Sequence, residues 1–374
     1  MLPVHDSDLA KWALETANKI GLQFSASKNW IYNFKRRHEL VSRKVTKVHS
    51  SSKMVAAAKI LEATNTFRNE VLAESPKYSP QLVFNTDQSG FQYEFYSTRT
   101  LSFKGEKDTP ITVKSMNKTT HSYSIQPTLG LDGKLHGPLY LCLQEIGGRM
   151  GTRVKETYFR APNVEVTCSS SGKLTTSLFE RYVDYVLGPL LTGDCLLLLD
   201  SWGGQQSDEC FQGIENLGFT CTRLRIPEGA TPTTQPLDVF YNRQYKGVVK
   251  KFYDHVSTQG LNINLYQRDH IIKLHSLVHH QFANDRFTPM GRYAWYASGL
   301  SREPPAPFQT ANEILFPPNM LNCSETACSG TVFIQCAYCN LAFCFKHFFV
   351  DYHHHMHFES ITDVDSDPNY EEEF

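Results

Sequence analysis

A chain of 374 residues has room for two or three domains and a substantial core, and its 41% hydrophobic and 20% charged residues are ordinary for a globular protein. No apolar run approaches the roughly 18–20 residues that cross a bilayer, and the start from Met1 to Trp12 lacks the charged head and apolar block of a secretory signal. The net charge of −1 conceals a gradient: residues 1–50 carry nine Lys/Arg against four Asp/Glu, whereas residues 359–374 carry seven acids and no base. A basic head suits a nucleic-acid ligand, and the acidic tail reads as solvated surface.

Leu9, Ala13, Ala17 and Ile20 recur at helical spacing over residues 7–20, with Gly21 as the stop. Ser25 or Ser27 can cap a second helix over residues 28–40, whose buried stripe is Trp30, Ile31 and Phe34. Two helices around a short turn containing Gly outline a helix-turn-helix. Its polar side offers Lys28, Asn29, Tyr32, Asn33, Lys35 and Arg36, followed by Arg37, Arg43, Lys44 and Lys47. Amides and guanidinium groups reach base edges, while lysines and arginines neutralise phosphates. Residues 50–79 read as a Ser-led linker and one helix, closed by Pro76 and Pro80.

From Leu82 the pattern turns strand-rich. Residues 82–87 form one predicted strand, and residues 122–145 give two more, joined at Leu131-Asp132-Gly133-Lys134, where Asp-Gly favours a hairpin. A helix is expected over 174–191, a fully apolar central strand up to Asp200, a helix over 206–216, a strand over 220–226, and a helix starting near Asp238. This order implies a mixed α/β fold.

Three acids stand at the edges of these elements. Asp87 ends the run Leu82-Val83-Phe84 in NTDQSGF, Asp200 ends Leu196 to Leu199 in LLLLDSWGGQ, and Asp238 lies in TPTTQPLDVF. Singly, each reads as a turn or cap residue. Two carboxylates at strand ends and a third at a helix start can also converge, and converging carboxylates hold Mg²⁺.

The three strings resemble the blocks of DDE superfamily endonucleases, most nearly the pogo/Tigger-type transposases that include relatives of centromere protein B. The resemblance runs from about Leu9 to about Phe252, and its N-terminal part rests on the W-x-x-x-F-K-x-R-H pattern from Trp30 to His38. It implies a ribonuclease H-like catalytic domain over 80–300, a partial helix-turn-helix DNA-binding domain over 1–49 and a helical linker over 50–79. It implies that Asp87, Asp200 and Asp238 are catalytic and bind Mg²⁺ (or Mn²⁺). The expected chemistry is phosphodiester hydrolysis and strand transfer at element ends in double-stranded DNA, carried out in the nucleus. Gln88, Trp202, Gln205 and Gln235 are candidates for orienting metal-bound water or lining the DNA groove. Thr231 and Thr234 suit backbone or phosphate contacts, and Lys246, Lys250 and Lys251 suit the DNA backbone. The family carries another helix-turn-helix upstream, for which Met1 leaves no room, so a truncated or domesticated DNA-binding derivative is the alternative reading. No membrane partner or small-molecule substrate is expected, and self-association is left open.

Five of the ten cysteines fall within 323–344 among histidines, which argues for metal rather than disulfides; Cys142, Cys168, Cys195, Cys210 and Cys221 read as scattered thiols. Beyond a Pro-rich linker (301–320), residues 321–358 carry Cys323, Cys328, Cys336, Cys339, Cys344, His347, His353 and His355, enough for two tetrahedral zinc sites. The run from Cys336 to His353 is similar to AN1-type zinc fingers. That similarity implies a cross-braced assignment, with Cys323, Cys328, Cys344 and His347 on one ion and Cys336, Cys339, His353 and His355 on the other. His355 stands where that family has Cys, so His354 and His357 remain alternatives. Too little apolar sequence is expected around the segment for a core without metal.

Overall fold

The structure, a computed structural model, describes residues 6–41, 51–94, 122–318 and 322–355. Arg43, Lys44, Lys47, His357 and the acidic tail lie outside the described residues. The chain divides into two compact units, Met1–Ala57 and Ala58–Phe374.

In the first unit, α1 (Asp6–Lys19) packs on α2 (Lys28–Arg37). Gly21 takes a positive φ of 68°, which lets the Leu22 amide return to the Ala17 carbonyl at 2.9 Å and ends α1. The Ser27 hydroxyl accepts the Trp30 amide at 3.2 Å and starts α2. Ala17 and Ile31 are buried, and Phe24, Trp30, Phe34 and His38 form an aromatic ladder with successive centroids 4.9, 5.1 and 4.5 Å apart. The second helix stops at Arg37, earlier than its predicted end at Leu40, because His38 caps it and Glu39 turns to a positive φ.

In the second unit, α3 (Ser51–Glu74) buries Phe67 and Val71 against two four-stranded sheets. One runs β4-β1-β7-β8, with β1 Val83–Thr86, β4 Thr128–Gly130, β7 Cys195–Leu199 and β8 Cys221–Arg225. The other runs β2-β3-β5-β6, with β2 Ser89–Gln92, β3 Ser122–Gln126, β5 Leu139–Gln144 and β6 Val164–Ser169. Only Asp87 and Gln88 separate β1 from β2, and only Pro127 separates β3 from β4, so the sheets join through two bends. Every residue of β7 is buried, as a central parallel strand covered on both faces requires. The helices are α4 (Thr152–Thr157), α5 (Thr176–Tyr182), α6 (Gln212–Asn216), α7 (Thr231–Thr234), α8 (Asn242–Thr258), α9 (Arg268–Phe282), α10 (Thr288–Ala297) and α11 (Ala311–Leu315). The expected α/β fold is the one observed.

Three details differ from the predicted elements, the first being the helix expected over 206–216, which is a tight turn over Asp208–Phe211 followed by the short α6. The hairpin over 122–145 is three strands: proline breaks the first at residue 127, β4 turns to pair with β1, and β5 pairs with β3. The helix over 174–191 runs as α5, then a wide turn over Val183–Leu187 and a tight one over Gly188–Leu190, where Pro189 ends it.

Residues 322–355 form the short hairpin β9 (Val332–Gln335) and β10 (Ala342–Cys344), then a helical turn over Lys346–Val350. This segment is richer in core than expected. Phe333, Phe345, Phe348 and Phe349 are buried around Phe252 of α8, with centroids 4.8–6.2 Å from it. They belong to the same hydrophobic core as β1 and β7.

Candidate active site

β1 and β7 are parallel neighbours in the register Val83↔Leu196, Phe84↔Leu197 and Asn85↔Leu198. Their C-terminal ends therefore deliver Asp87 and Asp200 side by side at one edge of the sheet. Asn85, fully buried, holds this edge together. Its Nδ2 donates to the Leu198 carbonyl at 3.2 Å, and its Oδ1 accepts the Leu237 amide at 3.1 Å. Leu198 lies two residues before Asp200 and Leu237 one residue before Asp238, so one carboxamide ties together all three acid-bearing segments. A polar residue inside the apolar strand Val83–Thr86 was its only trace in the sequence.

Asp87 and Asp200 are half-buried and Asp238 is exposed. The Nδ2 of Asn242 donates to Asp238 Oδ1 at 3.1 Å and makes a longer contact of 3.5 Å with Asp87 Oδ2. Burial, then the charges of Asp238 and Asp200, raise the pKa of Asp87 well above the carboxylate range. Burial also raises Asp200, against the hydrogen bonds that it accepts from the Trp202 amide at 3.1 Å and from Gln205 Nε2. Gln205 also donates to the Asp200 carbonyl at 3.2 Å, which fixes both side chains. Gly204 lies so close under the Trp202 indole that a Cβ there would collide with the ring. Lys246, one turn beyond Asn242, lies over the Phe91 ring at 5.4 Å; burial lowers its pKa and the charges of Asp238 and Asp87 oppose that.

The other candidates divide. Gln235 is fully buried, its Nε2 faces the Thr86 carbonyl at 3.5 Å, and its Oε1 has no hydrogen-bond partner. Gln88 Oε1 accepts the Leu174 amide at 3.1 Å, a structural role. Thr234 is buried and Thr231 half-buried. Lys250 and Lys251 are half-buried or exposed along α8. In the first unit Lys28, Asn29, Tyr32, Asn33, Arg36 and Arg37 are exposed, whereas Lys35 is ion-paired with Asp6 at 2.8 Å.

The eight candidate zinc ligands of the tail fall into two groups, Cys323/Cys328/Cys344/His347 and Cys336/Cys339/His353/His355, each with its donor atoms within 4.8 Å of one another. In the first, His347 Nδ1 lies 3.3 Å from both Cys323 and Cys344 Sγ, and the Cys328 and Cys344 sulfurs are 3.9 Å apart. In the second, Cys336–His355, Cys339–His353 and His353–His355 separations are 3.2, 3.6 and 3.1 Å. A tetrahedron with Zn–S of about 2.3 Å and Zn–N of about 2.0 Å has edges of roughly 3.3–3.8 Å, close to these separations, so both donor sets suit a tetrahedral zinc ion. Gly330 makes room for the first: its amide donates to Cys328 Sγ at 3.3 Å, and a Cβ there would stand 3.2 Å from Cys344 Sγ. His355, rather than His354, joins the second group, while His354 stacks on His280 at 4.0 Å.

Replacing Asn85 by Ala should destabilise the second unit by about 2–4 kcal/mol, since it strands the buried Leu237 amide and removes two hydrogen bonds. Denaturant unfolding measures this; a change below about 0.5 kcal/mol, the size of an ordinary surface substitution, would show that the carboxamide is not the tie.

These features describe a transposase-like DNA endonuclease, and comparison with known proteins agrees. Residues 149–297 match the DDE superfamily endonuclease, a range that contains Asp200 and Asp238 and begins after Asp87. Residues 2–44 match the Tc5 transposase DNA-binding domain, and residues 295–356 the Tc5 transposase C-terminal domain. The chain thus carries a segment similar to DDE superfamily endonucleases, flanked by Tc5-type segments at both ends, of which the N-terminal one matches a DNA-binding domain. The segment that resembles AN1 fingers is the one matched as the Tc5 C-terminal domain. Among solved structures, the chain is similar to the Mos1 transposase paired-end complex with left transposon end (10% identity, 81% of this chain and 82% of that chain, TM-score 0.38). It is also similar to the Mos1 strand transfer complex (11% identity, 81% of each chain, TM-score 0.40). A DDE endonuclease uses a divalent metal. Among the described residues no helix is long and apolar enough to cross a membrane.

Proposed function

We propose that Asp87, Asp200 and Asp238 are the catalytic carboxylates and that they hold Mg²⁺ (or Mn²⁺) for cleavage and joining of DNA at transposon ends. The observation that carries this reading is the parallel register of β1 and β7, which sets two acids side by side, with Asn85 tying the third to them. The residues fit a hydrated dication. Burial, then the charges of Asp238 and Asp200, raise the proton affinity of Asp87, which a cation relieves, and the buried, unpartnered Gln235 Oε1 suits a hydrogen-bond donor. Bound Mg²⁺ supplies Lewis acidity and an activated water for in-line attack at phosphorus.

The protein's part is to position. Gln205 and the Trp202 amide fix the rotamer of Asp200. Asp87 stands at the bend between the sheets, where burial keeps bulk water from screening it. Lys246 stands ready to neutralise a DNA phosphate. Hydrolysis breaks the P–O3′ bond at the element end and leaves a 3′-hydroxyl. That hydroxyl then attacks a target phosphodiester and displaces its 3′-oxygen, so no protein nucleophile is needed. The exposed face of α2, from Lys28 to Arg37, would meet the duplex together with Arg43, Lys44 and Lys47. Residues 321–358 would hold two structural zinc ions, and the nucleus, where the DNA is, would be the place of action.

The test is Mn²⁺- or Mg²⁺-dependent nicking of labelled DNA from the flanks of this gene, run beside Asp200→Ala. Cuts that need metal and vanish in the variant support the reading. DNA binding with no cuts by either protein overturns it and leaves a DNA-binding derivative.

A further inference from the structure

Asn242 lies in the first turn of α8, is 6% exposed, and sits one helical turn beyond Asp238. A spacing of four residues alone would make it a helix-surface partner of Asp238. Its position does more. The same Nδ2 that donates to Asp238 Oδ1 at 3.1 Å also faces Asp87 Oδ2 at 3.5 Å, across 155 residues of sequence. No other side-chain amide among the described residues contacts two of the three acids. Gln205 serves Asp200 alone, and Gln235 reaches only the carbonyl before Asp87.

We propose that Asn242 is a positioning residue of the endonuclease, a neutral clamp that sets the distance between Asp87 and Asp238 and so tunes their joint affinity for the divalent ion. The physical reason lies in charge. A half-buried carboxylate and an exposed one facing each other repel, and would swing apart to separate rotamers while no cation is bound. An amide with two N–H groups can hold one oxygen of each without adding charge, leaving the remaining oxygens to the metal. An Asp in its place would add repulsion, and a Lys would compete with the cation. Burial of Asn242 limits its rotamers, so the clamp is already set before metal arrives, which lowers the ordering cost of binding. Lys246, a turn further along the same face, carries the charge that Asn242 lacks and is left for the phosphate.

This inference rests on the carboxylates binding metal. The experiment measures Mn²⁺ binding by electron paramagnetic resonance and calorimetry on full-length, zinc-loaded protein. It compares wild type, Asp238→Asn, Asn242→Leu (similar in size, no donor) and Asn242→Ser (a shorter donor). The expected result is a ten-fold or greater loss of Mn²⁺ affinity in Asn242→Leu, with partial recovery in Asn242→Ser. Cleavage by Asn242→Leu should return towards the wild-type kcat at saturating Mn²⁺, because the acids themselves remain. If Asn242→Leu fails to fold, Asn242→Ser alone must still show weakened binding. Wild-type Mn²⁺ affinity in a folded Asn242→Leu or Asn242→Ser overturns the clamp while leaving the carboxylate site standing. Absence of a Mn²⁺ site in the wild type, or one unaffected by Asp238→Asn, overturns both.

Discussion

Replacing Asp87 by Asn is expected to abolish cleavage and, at the same time, to raise the unfolding temperature of the protein without divalent ion. The loss of cleavage follows from removing one of the acids proposed to hold the ion. Several kcal/mol of charge stabilisation correspond to about 10³-fold or more in rate. The gain in stability follows from the sign of the shift. Burial and the charges of Asp238 and Asp200 place the folded-state pKa of Asp87 above its ordinary value, so the folded chain binds this proton more tightly than the unfolded chain does. The contribution to stability is therefore present in acid, below about pH 3.9, and is lost as pH rises from there to the raised folded-state value. At neutral pH the ionised group opposes folding. An isosteric amide removes that opposition, so the variant unfolds at a higher temperature than wild type at pH 7. Calorimetry at pH 7 and pH 4 separates the two forms: the variant should gain at pH 7 and much less at pH 4. A variant that melts lower than wild type at pH 7, or that still cuts, would contradict the placement of Asp87 among these acids.

That trade explains which parts of the site were legible in the sequence. Asp87 and Asp200 stood out because each ends an apolar run, and a strand that is buried along its whole length must surface where the first charge appears. The convergence itself was not visible in any string. It depends on β1 and β7 being parallel neighbours, a pairing across more than a hundred residues that local patterns do not encode. Asn85 and Asn242 were missed for opposite reasons. Asn85 is a polar residue inside a buried strand, a signal in hindsight, but Asn is also a common turn former and stands in a string of turn-forming residues. Asn242 lies at plain helical spacing from Asp238 and gains its meaning only from Asp87. The divided strand at Pro127 and the shortened helix at Pro189 show proline overriding strand and helix periodicity. The sulfur and imidazole ligands were legible individually, because cysteine crowding is local. Their integration into the endonuclease core was not, because Phe333, Phe345, Phe348 and Phe349 find their partner in Phe252 of a distant helix.

Removing the zinc proposed for the two Cys/His clusters should accordingly unfold far more than the segment that holds them. The segment that carries the clusters is tied to α9 at close range. Gln281 accepts the Ala337 amide at 2.6 Å and donates to Cys336 Sγ at 3.5 Å, Ser276 Oγ meets Tyr352 OH at 2.6 Å, and Lys273 donates to the Val350 carbonyl at 3.0 Å. On the other side Phe252 of α8 is enclosed by four phenylalanines of the same segment. α8 continues the wide helical turn Leu237–Tyr241 that holds Asp238, and it carries Asn242 and Lys246 in its first two turns, so the covering of its far half and the posture of Asp238 share one rod. Structural zinc contributes about 10–16 kcal/mol per site in isolated fingers. Even a fraction of that, released into a domain whose whole margin is about 5–15 kcal/mol, exceeds what the phenylalanine core can replace. Chelation by a zinc-selective ligand should therefore lower the unfolding temperature by about ten degrees or more, at the 2–4 °C that each kcal/mol moves a domain of this class. Near-UV circular dichroism, reporting the aromatic packing around Phe252, should fall together with Mn²⁺ affinity at the carboxylates, and Cys336→Ser should reproduce part of both losses. A chelated protein that keeps its melting temperature and its Mn²⁺ site would mean that the phenylalanine cluster holds α8 by itself and that the cysteines and histidines are dispensable to the fold. A chelated protein that loses Mn²⁺ affinity without melting lower would locate the coupling in the alignment of α8 rather than in the stability of the core.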